Sequence, residues 1–141
     1  MPVETVSMAH EFRETLGRVV RRLRAEAGGQ PPLGQMAVLG RLDREGPASA
    51  SALAAAERMR PQSMAQTVRD LETAGFVSRR PDPDDGRRVL VELTPAGLEH
   101  LRATRAQREG WLTEMFEREF TAAERETLRE ALALLRRIAD A

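Results

Sequence analysis

The spacing of apolar residues changes character in the middle of this 141-residue chain, and that change restricts its fold more than any other feature. Up to Ala74 apolar side chains recur every three or four residues, as on one face of an α-helix. From Phe76 to Leu93 the pattern becomes strand-like, and from Thr94 the helical spacing returns. The strand-like stretch is two short runs, Phe76-Val-Ser-Arg-Arg80 and Val89-Leu-Val-Glu-Leu93. Between them lies Pro81-Asp-Pro-Asp-Asp-Gly-Arg87, a polar loop dense in turn formers. Two strands joined by such a loop make a β-hairpin, so the chain should be mainly α with one small hairpin set among its helices.

The helical stretches can be delimited from their own punctuation. Residues 4–27 read as a helix with Met8, Phe12, Leu16, Val19, Val20 and Leu23 in one stripe, broken by Gly28-Gly29-Gln30-Pro31-Pro32. A second runs from Leu33 to about Arg44, with Met36, Leu39 and Leu42 inward, and ends at Gly46-Pro47. Ser49 suits the N-cap of a short third helix reaching about Arg58, whose Leu53-Ala-Ala-Ala56 centre lets another helix approach closely. Pro61 suits the first position of a fourth, running to Ala74 with Met64, Val68 and Leu71 inward and Gly75 as its stop. Thr94-Pro95 opens a long fifth helix with Leu98, Leu101, Leu112, Met115 and Phe116 on its buried side. Thr121-Ala-Ala-Glu124 is a capping box opening a sixth, which carries Leu128, Leu132, Leu135 and Ile138.

Short helices followed by a hairpin is the winged helix-turn-helix order. The expected organisation is one unit over 1–141, with the winged helix at 33–94 and long helices at 4–27 and 95–140. A compact winged helix cannot cover the stripes of those long helices, so a second subunit is their natural partner.

Composition narrows the function. The absence of cysteine removes disulfides, thiolate metal sites and thiol redox switching. Lysine and tyrosine are absent too, so Schiff-base chemistry on a side chain is impossible. His10 and His100 are the only histidines, each on an expected dimerisation helix, and no nucleophile–base pair or glycine-rich phosphate loop suggests itself. Acid pairs such as Glu126 and Glu130 read as solvated faces. The chain should therefore be no enzyme, with no cofactor and no metal. No apolar run approaches the roughly 18 residues of a membrane span, and the N-terminus lacks a secretory pattern, so a cytoplasmic location with no membrane partner is expected. Net charge is zero, yet residues 58–91 carry seven arginines against five acids, while residues 92–141 carry eight against ten. The exclusive use of arginine fits a GC-rich genome as well as it fits phosphate binding.

The stretches Gln35-Met-Ala-Val-Leu39, Leu53-Ala54 and Leu71-Glu-Thr-Ala-Gly75-Phe-Val-Ser-Arg79 resemble the MarR (multiple antibiotic resistance regulator) family. So do the loop Arg80-Pro-Asp-Pro-Asp-Asp-Gly-Arg87-Arg88 and its exit Val89-Leu-Val-Glu-Leu-Thr94-Pro-Ala-Gly97. The resemblance covers nearly the whole chain and is strongest over 35–97. It implies a homodimer held by its terminal helices, two DNA-binding lobes on a palindromic double-stranded site, and a small-molecule pocket between those helices and each lobe. Action as a repressor released by that ligand is implied as well.

The residues offer a matching chemistry. The outer face of the fourth helix presents Gln62, Ser63, Gln66, Thr67 and Arg69, and glutamine can pair with adenine and arginine with guanine in the major groove. Arg60, Arg79 and Arg80 are candidates for phosphate contact. Of Arg87 and Arg88, one is expected to enter the minor groove and the other to support the loop, in an order the sequence leaves open. The loop aspartates should cap its amides and pair with arginine. Candidate ligand lining is Leu16, Val20, Met36, Leu39 and Trp111, with Arg105 or Arg108 for an anionic group, although each also fits plain core or dimer interface. The competing function is a winged helix used for protein contact with little specific DNA binding.

Overall fold

A computed structural model of the chain describes residues 2–26 and 33–141. These form α1 (Val3–Glu26), α2 (Leu33–Glu45), α3 (Ala50–Ala56), α4 (Pro61–Thr73), β1 (Val77–Pro81), β2 (Val89–Leu93), α5 (Pro95–Glu119) and α6 (Ala122–Ala139). The expected break at Gly28–Pro32 and the expected end of the first helix at residue 27 lie outside the described residues.

The core gathers in the middle of the chain. Met36, Val38, Leu39 and Leu42 of α2 meet Leu53 and Ala54 of α3, and Met64, Val68 and Leu71 of α4. Val77, Val91 and Leu101 close the cluster from β1, β2 and α5. The helical period that put Met64, Val68 and Leu71 on one side of α4 is thus the reason that side is sealed, with each side chain at 0% exposure.

Antiparallel pairing of β1 with β2 sets Val77 opposite Leu93 and Pro81 opposite Val89. Ala48 adds a third rung through a bridge to Val91, its N–H donating to the Val91 carbonyl at 3.1 Å and its carbonyl accepting in return at 2.8 Å. Of the alternating triplet in β2, Val91 is buried and Leu93 half-buried, whereas Val89 is exposed because it pairs with Pro81 at the loop end of the ladder. Phe76, expected in the strand, belongs instead to the helix stop: Gly75 adopts φ +82°, and the Phe76 N–H turns back to the Leu71 carbonyl at 2.9 Å.

The junction from wing to α5 is tight. Thr94 caps α5 by accepting from the Gly97 N–H at 3.0 Å, and its hydroxyl donates to the Gly75 carbonyl at 2.7 Å. The Thr94 N–H donates to the Phe76 carbonyl at 3.1 Å. Backbone therefore passes so close to Gly97 that a Cβ there would press into the Phe76 carbonyl oxygen.

The long helices differ from expectation in one respect. Leu98, Leu112, Met115 and Phe116 of α5 are half-buried, and only Gly97, Leu101 and Thr104 of that helix are buried. The cause is length: 25 residues extend about 37 Å, past the edge of the core. Neither α1 nor α6 contains a buried residue, and Met8, Leu16, Val19, Leu132 and Ile138 are all at least 40% exposed. Among the described residues no helix is long and apolar enough to cross a membrane.

Candidate DNA interface

Two short helices and the turn between them place α4 at the surface. α3 stops at Ala56, two residues before the expected Arg58, because Glu57 caps it and Arg58 turns left-handed at φ +53°. The Met59 N–H then closes the turn on the Ala54 carbonyl at 2.9 Å. Arg41 of α2 clamps this corner: its Nε donates to Glu57 Oε1 at 2.7 Å and its Nη1 to both Glu45 carboxylate oxygens at 3.0 Å. Those bonds, Glu57 first and Glu45 second, hold the Arg41 guanidinium above its ordinary pKa.

Arg60 occupies the N-cap of α4 without a side-chain cap, and Pro61 fixes the start, as the sequence suggests. Opposite the sealed face stand Gln62, Ser63, Gln66 and Arg69, all exposed, with Thr67 half-buried among them. The Thr67 hydroxyl donates to the Ser63 carbonyl at 3.0 Å, so its proton is used within the helix. Arg69 Nη2 donates to Gln66 Oε1 at 2.9 Å, and Gln66 Nε2 donates to Asp70 Oδ1 at 2.8 Å. The outer face is therefore an ordered chain of polar groups.

The wing loop is held by its own aspartates. Asp82 accepts from the Asp84 N–H at 2.9 Å, and Asp85 accepts from the Arg87 N–H at 3.1 Å. Backbone bonds from Asp82 to Arg88 and from Arg88 to Asp85, each 2.9 Å, close the turn. Arg87 and Arg88 then part company. The Arg87 side chain is 94% exposed at the tip, with only a 3.4 Å contact to Asp85. Arg88 reaches back across the hairpin, donating to the hydroxyl of Ser49 at 3.2 Å. Since Ser49 also caps α3 by accepting from the Ala52 N–H, Arg88 ties the wing to the start of the helix-turn-helix.

Arg79 and Arg80 are less available than sequence alone indicates. Arg79 meets Glu72 at 3.3 Å, and Arg80 reaches diagonally across the sheet to Glu92 at 3.0 Å. In either, the carboxylate held by Nε competes with a phosphate for the guanidinium.

The expected ligand-lining residues separate into two places. A hollow of about 400 Å³ is lined by Met36, Gly40, Arg41, Arg44, Glu57, Arg105 and Arg108. Burial, and then repulsion from Arg24, pushes the Arg108 guanidinium below its ordinary pKa. The Arg105 guanidinium packs against Gly40, where a Cβ would lie 2.8 Å from Arg105 Nη2 and displace the end of that side chain. A much larger apolar groove, about 1050 Å³, takes Leu16 and Trp111 together with Phe12, Met115, Phe116 and Leu128. Leu39 is sealed in the core and Val20 lines neither space. Sequence reasoning missed Arg41, Arg44, Glu57 and Asp70. Asp70 was signalled by its four-residue spacing from Gln66, whereas the 16-residue separation of Arg41 and Glu57 offered no local pattern.

The comparison with known proteins agrees with this geometry. The MarR family model matches residues 32–89. The uncharacterized HTH-type transcriptional regulator Mb0904 of Mycobacterium bovis is 37% identical over 134 residues, spanning 94% of this chain and 93% of that protein. A crystal structure of a candidate transcriptional regulator from Pseudomonas aeruginosa PA01 has a TM-score of 0.84 at 37% identity, covering 99% of this chain and 98% of its own. Bordetella bronchiseptica BpsR, solved to explain regulation of its DNA binding by 6-hydroxynicotinic acid, has a TM-score of 0.74 at 25% identity over 94% and 93% of the two chains. The chain belongs to the MarR family of winged helix-turn-helix, DNA-binding transcriptional regulators, and it is not an enzyme.

Proposed function

We propose that this regulator binds a palindromic operator as a homodimer and represses transcription until a small anionic effector releases it. The observation that carries the DNA reading is the two-sidedness of α4: Met64, Val68 and Leu71 are sealed while Gln62, Ser63, Gln66 and Arg69 stand exposed. In this reading α4 enters the major groove, with Thr67 beside the contacting residues and Arg60 on the backbone. Arg87 enters the minor groove and Arg88 supports the loop; the exposure of the first and the Ser49 bond of the second support that assignment. Arg79 and Arg80 are phosphate ligands that trade Glu72 and Glu92 for DNA.

The dimer reading is supported by the apolar groove along α1, α5 and α6, whose lining a second copy would cover. The effector reading is supported by the arginine-lined hollow, in which Arg105 and Arg108 would hold the anion beside Met36. The regulation of BpsR by a small carboxylic acid is in keeping with that chemistry. An anion there would also compete with Glu57 for Arg41, and so act on the corner from which α4 departs.

Fluorescence anisotropy of the protein on DNA from upstream of its own gene, beside a shuffled duplex and over a range of salt, tests the proposal. Tighter binding to the upstream duplex is expected, with log affinity falling against log salt by about 0.9 per phosphate neutralised, for on the order of eight phosphates per dimer. Equal and feeble binding to both, insensitive to salt, would favour the protein-contact alternative.

A further inference from the structure

The hydrogen-bond chain on the outer face of α4 carries a further step. Gln66 is clamped at both ends of its amide, Oε1 accepting from Arg69 and Nε2 donating to Asp70. A primary amide has two N–H donors and two acceptor lone pairs. The clamp therefore uses one of each and leaves one donor and one acceptor on the same amide. That remaining pair matches the edge adenine shows in the major groove, an N7 acceptor beside an N6 donor. The clamp also fixes which end of the amide carries the donor, because Asp70 accepts only from nitrogen while Arg69 donates only to oxygen.

We propose that Asp70 is a specificity-determining positioning residue, which orients the Gln66 amide so that it reads adenine and discriminates against the other bases. This rests on the reading of α4 as the recognition helix. Asp70 is otherwise hard to account for on a DNA-facing helix. It is exposed, its side chain is joined to Gln66, and its negative charge is repelled by phosphate. Repulsion of that kind weakens binding to all duplexes alike, whereas orientation of Gln66 strengthens binding only where adenine is present. Together these raise the ratio of specific to non-specific affinity. Water competes with the clamp in the free protein, and exclusion of water by bound DNA strengthens it at the moment it is needed.

The test compares wild type with Asp70→Ala and Asp70→Asn. Asparagine keeps an acceptor oxygen for Gln66 Nε2 but loses the charge, so the pair separates positioning from repulsion. In the free protein, NMR of the Gln66 side-chain amide should show an ordered group in wild type and in D70N, and a freely rotating one in D70A. On duplexes carrying single base-pair changes across the bound site, D70A should lose on the order of tenfold of its preference at one A·T pair per half-site, and D70N should keep it. Non-specific affinity should rise equally in both variants.

Unchanged preference in D70A, or an equal loss in both variants, would overturn the proposal. A loss that appears at a neighbouring base pair would assign Asp70 a direct base contact and overturn it as well. An absence of any preference in wild type would sink the DNA reading of α4 and this inference with it, which is a distinct result from the others.

Discussion

Replacing Gly97 by alanine sets two opposed effects against each other, and the structure decides between them. In a helix the change ordinarily stabilises by about 1 kcal/mol, because glycine has more freedom to lose. At Gly97 the added methyl would press into the Phe76 carbonyl oxygen and lie 2.9 Å from both the Phe76 carbonyl carbon and Leu93 Cδ1. The carbonyl cannot retreat freely, since it accepts from the Thr94 N–H, and the Thr94 hydroxyl holds the adjacent Gly75 carbonyl. Relief requires α5 to move away from the end of α4. That gives up two hydrogen bonds of about 1 kcal/mol each, and weakens a cap also worth about 1 kcal/mol. Allowing for the helix gain, Gly97→Ala should destabilise by about 1–2 kcal/mol.

Gly110, further along the same helix, supplies the control. A Cβ there meets nothing within 4 Å, so Gly110→Ala should stabilise by about 0.5–1 kcal/mol. Urea denaturation at one fixed protomer concentration measures both, the fixed concentration being needed because the unfolding midpoint of the proposed dimer would depend on it. A midpoint for G97A at or above that of wild type would show that the junction accommodates a Cβ without loss.

Three further outcomes are expected. Leu132→Asp, on the exposed apolar face of α6, should convert the proposed dimer to monomer in sedimentation analysis; an unchanged dimeric mass would place the interface elsewhere. Arg87→Ala should weaken operator binding with unchanged thermal stability, whereas Arg88→Ala should also lower the melting temperature by freeing Ser49, as calorimetry beside anisotropy would read. Glu124, held below the usual carboxylate range by the Thr121 N–H and then its hydroxyl, contributes stability that is present above its unfolded pKa near 4.5. That contribution is lost as pH falls through the lowered value, so wild type and Glu124→Ala should converge in acid and separate towards neutral pH.

Much of this architecture was legible because local chemistry governs it. Ser49, Thr94 and Thr121 cap their helices as their neighbours suggest, and Gly75 takes the left-handed stop that only glycine adopts freely. The inner face of α4 followed from period alone. What the sequence obscured depends on residues distant in the chain. The bond that sets Arg88 apart from Arg87 is made to Ser49, 39 positions away in the chain. The division of the expected ligand residues between an arginine-lined hollow and an apolar groove depended on how α5 crosses α2 and α1, which no local pattern encodes. Expected burial along α5 overshot because a stripe shows which side of a helix is apolar but not where its covering ends.

Selection of bound duplexes from a random library by the purified protein tests whether the chain reads a palindromic operator as a dimer. The expected result is an enriched motif of two inverted half-sites with centres about one helical turn, roughly 10 base pairs, apart, protected by one dimer. Library sequences recovered without a shared motif, or with a single unpaired half-site, would contradict it.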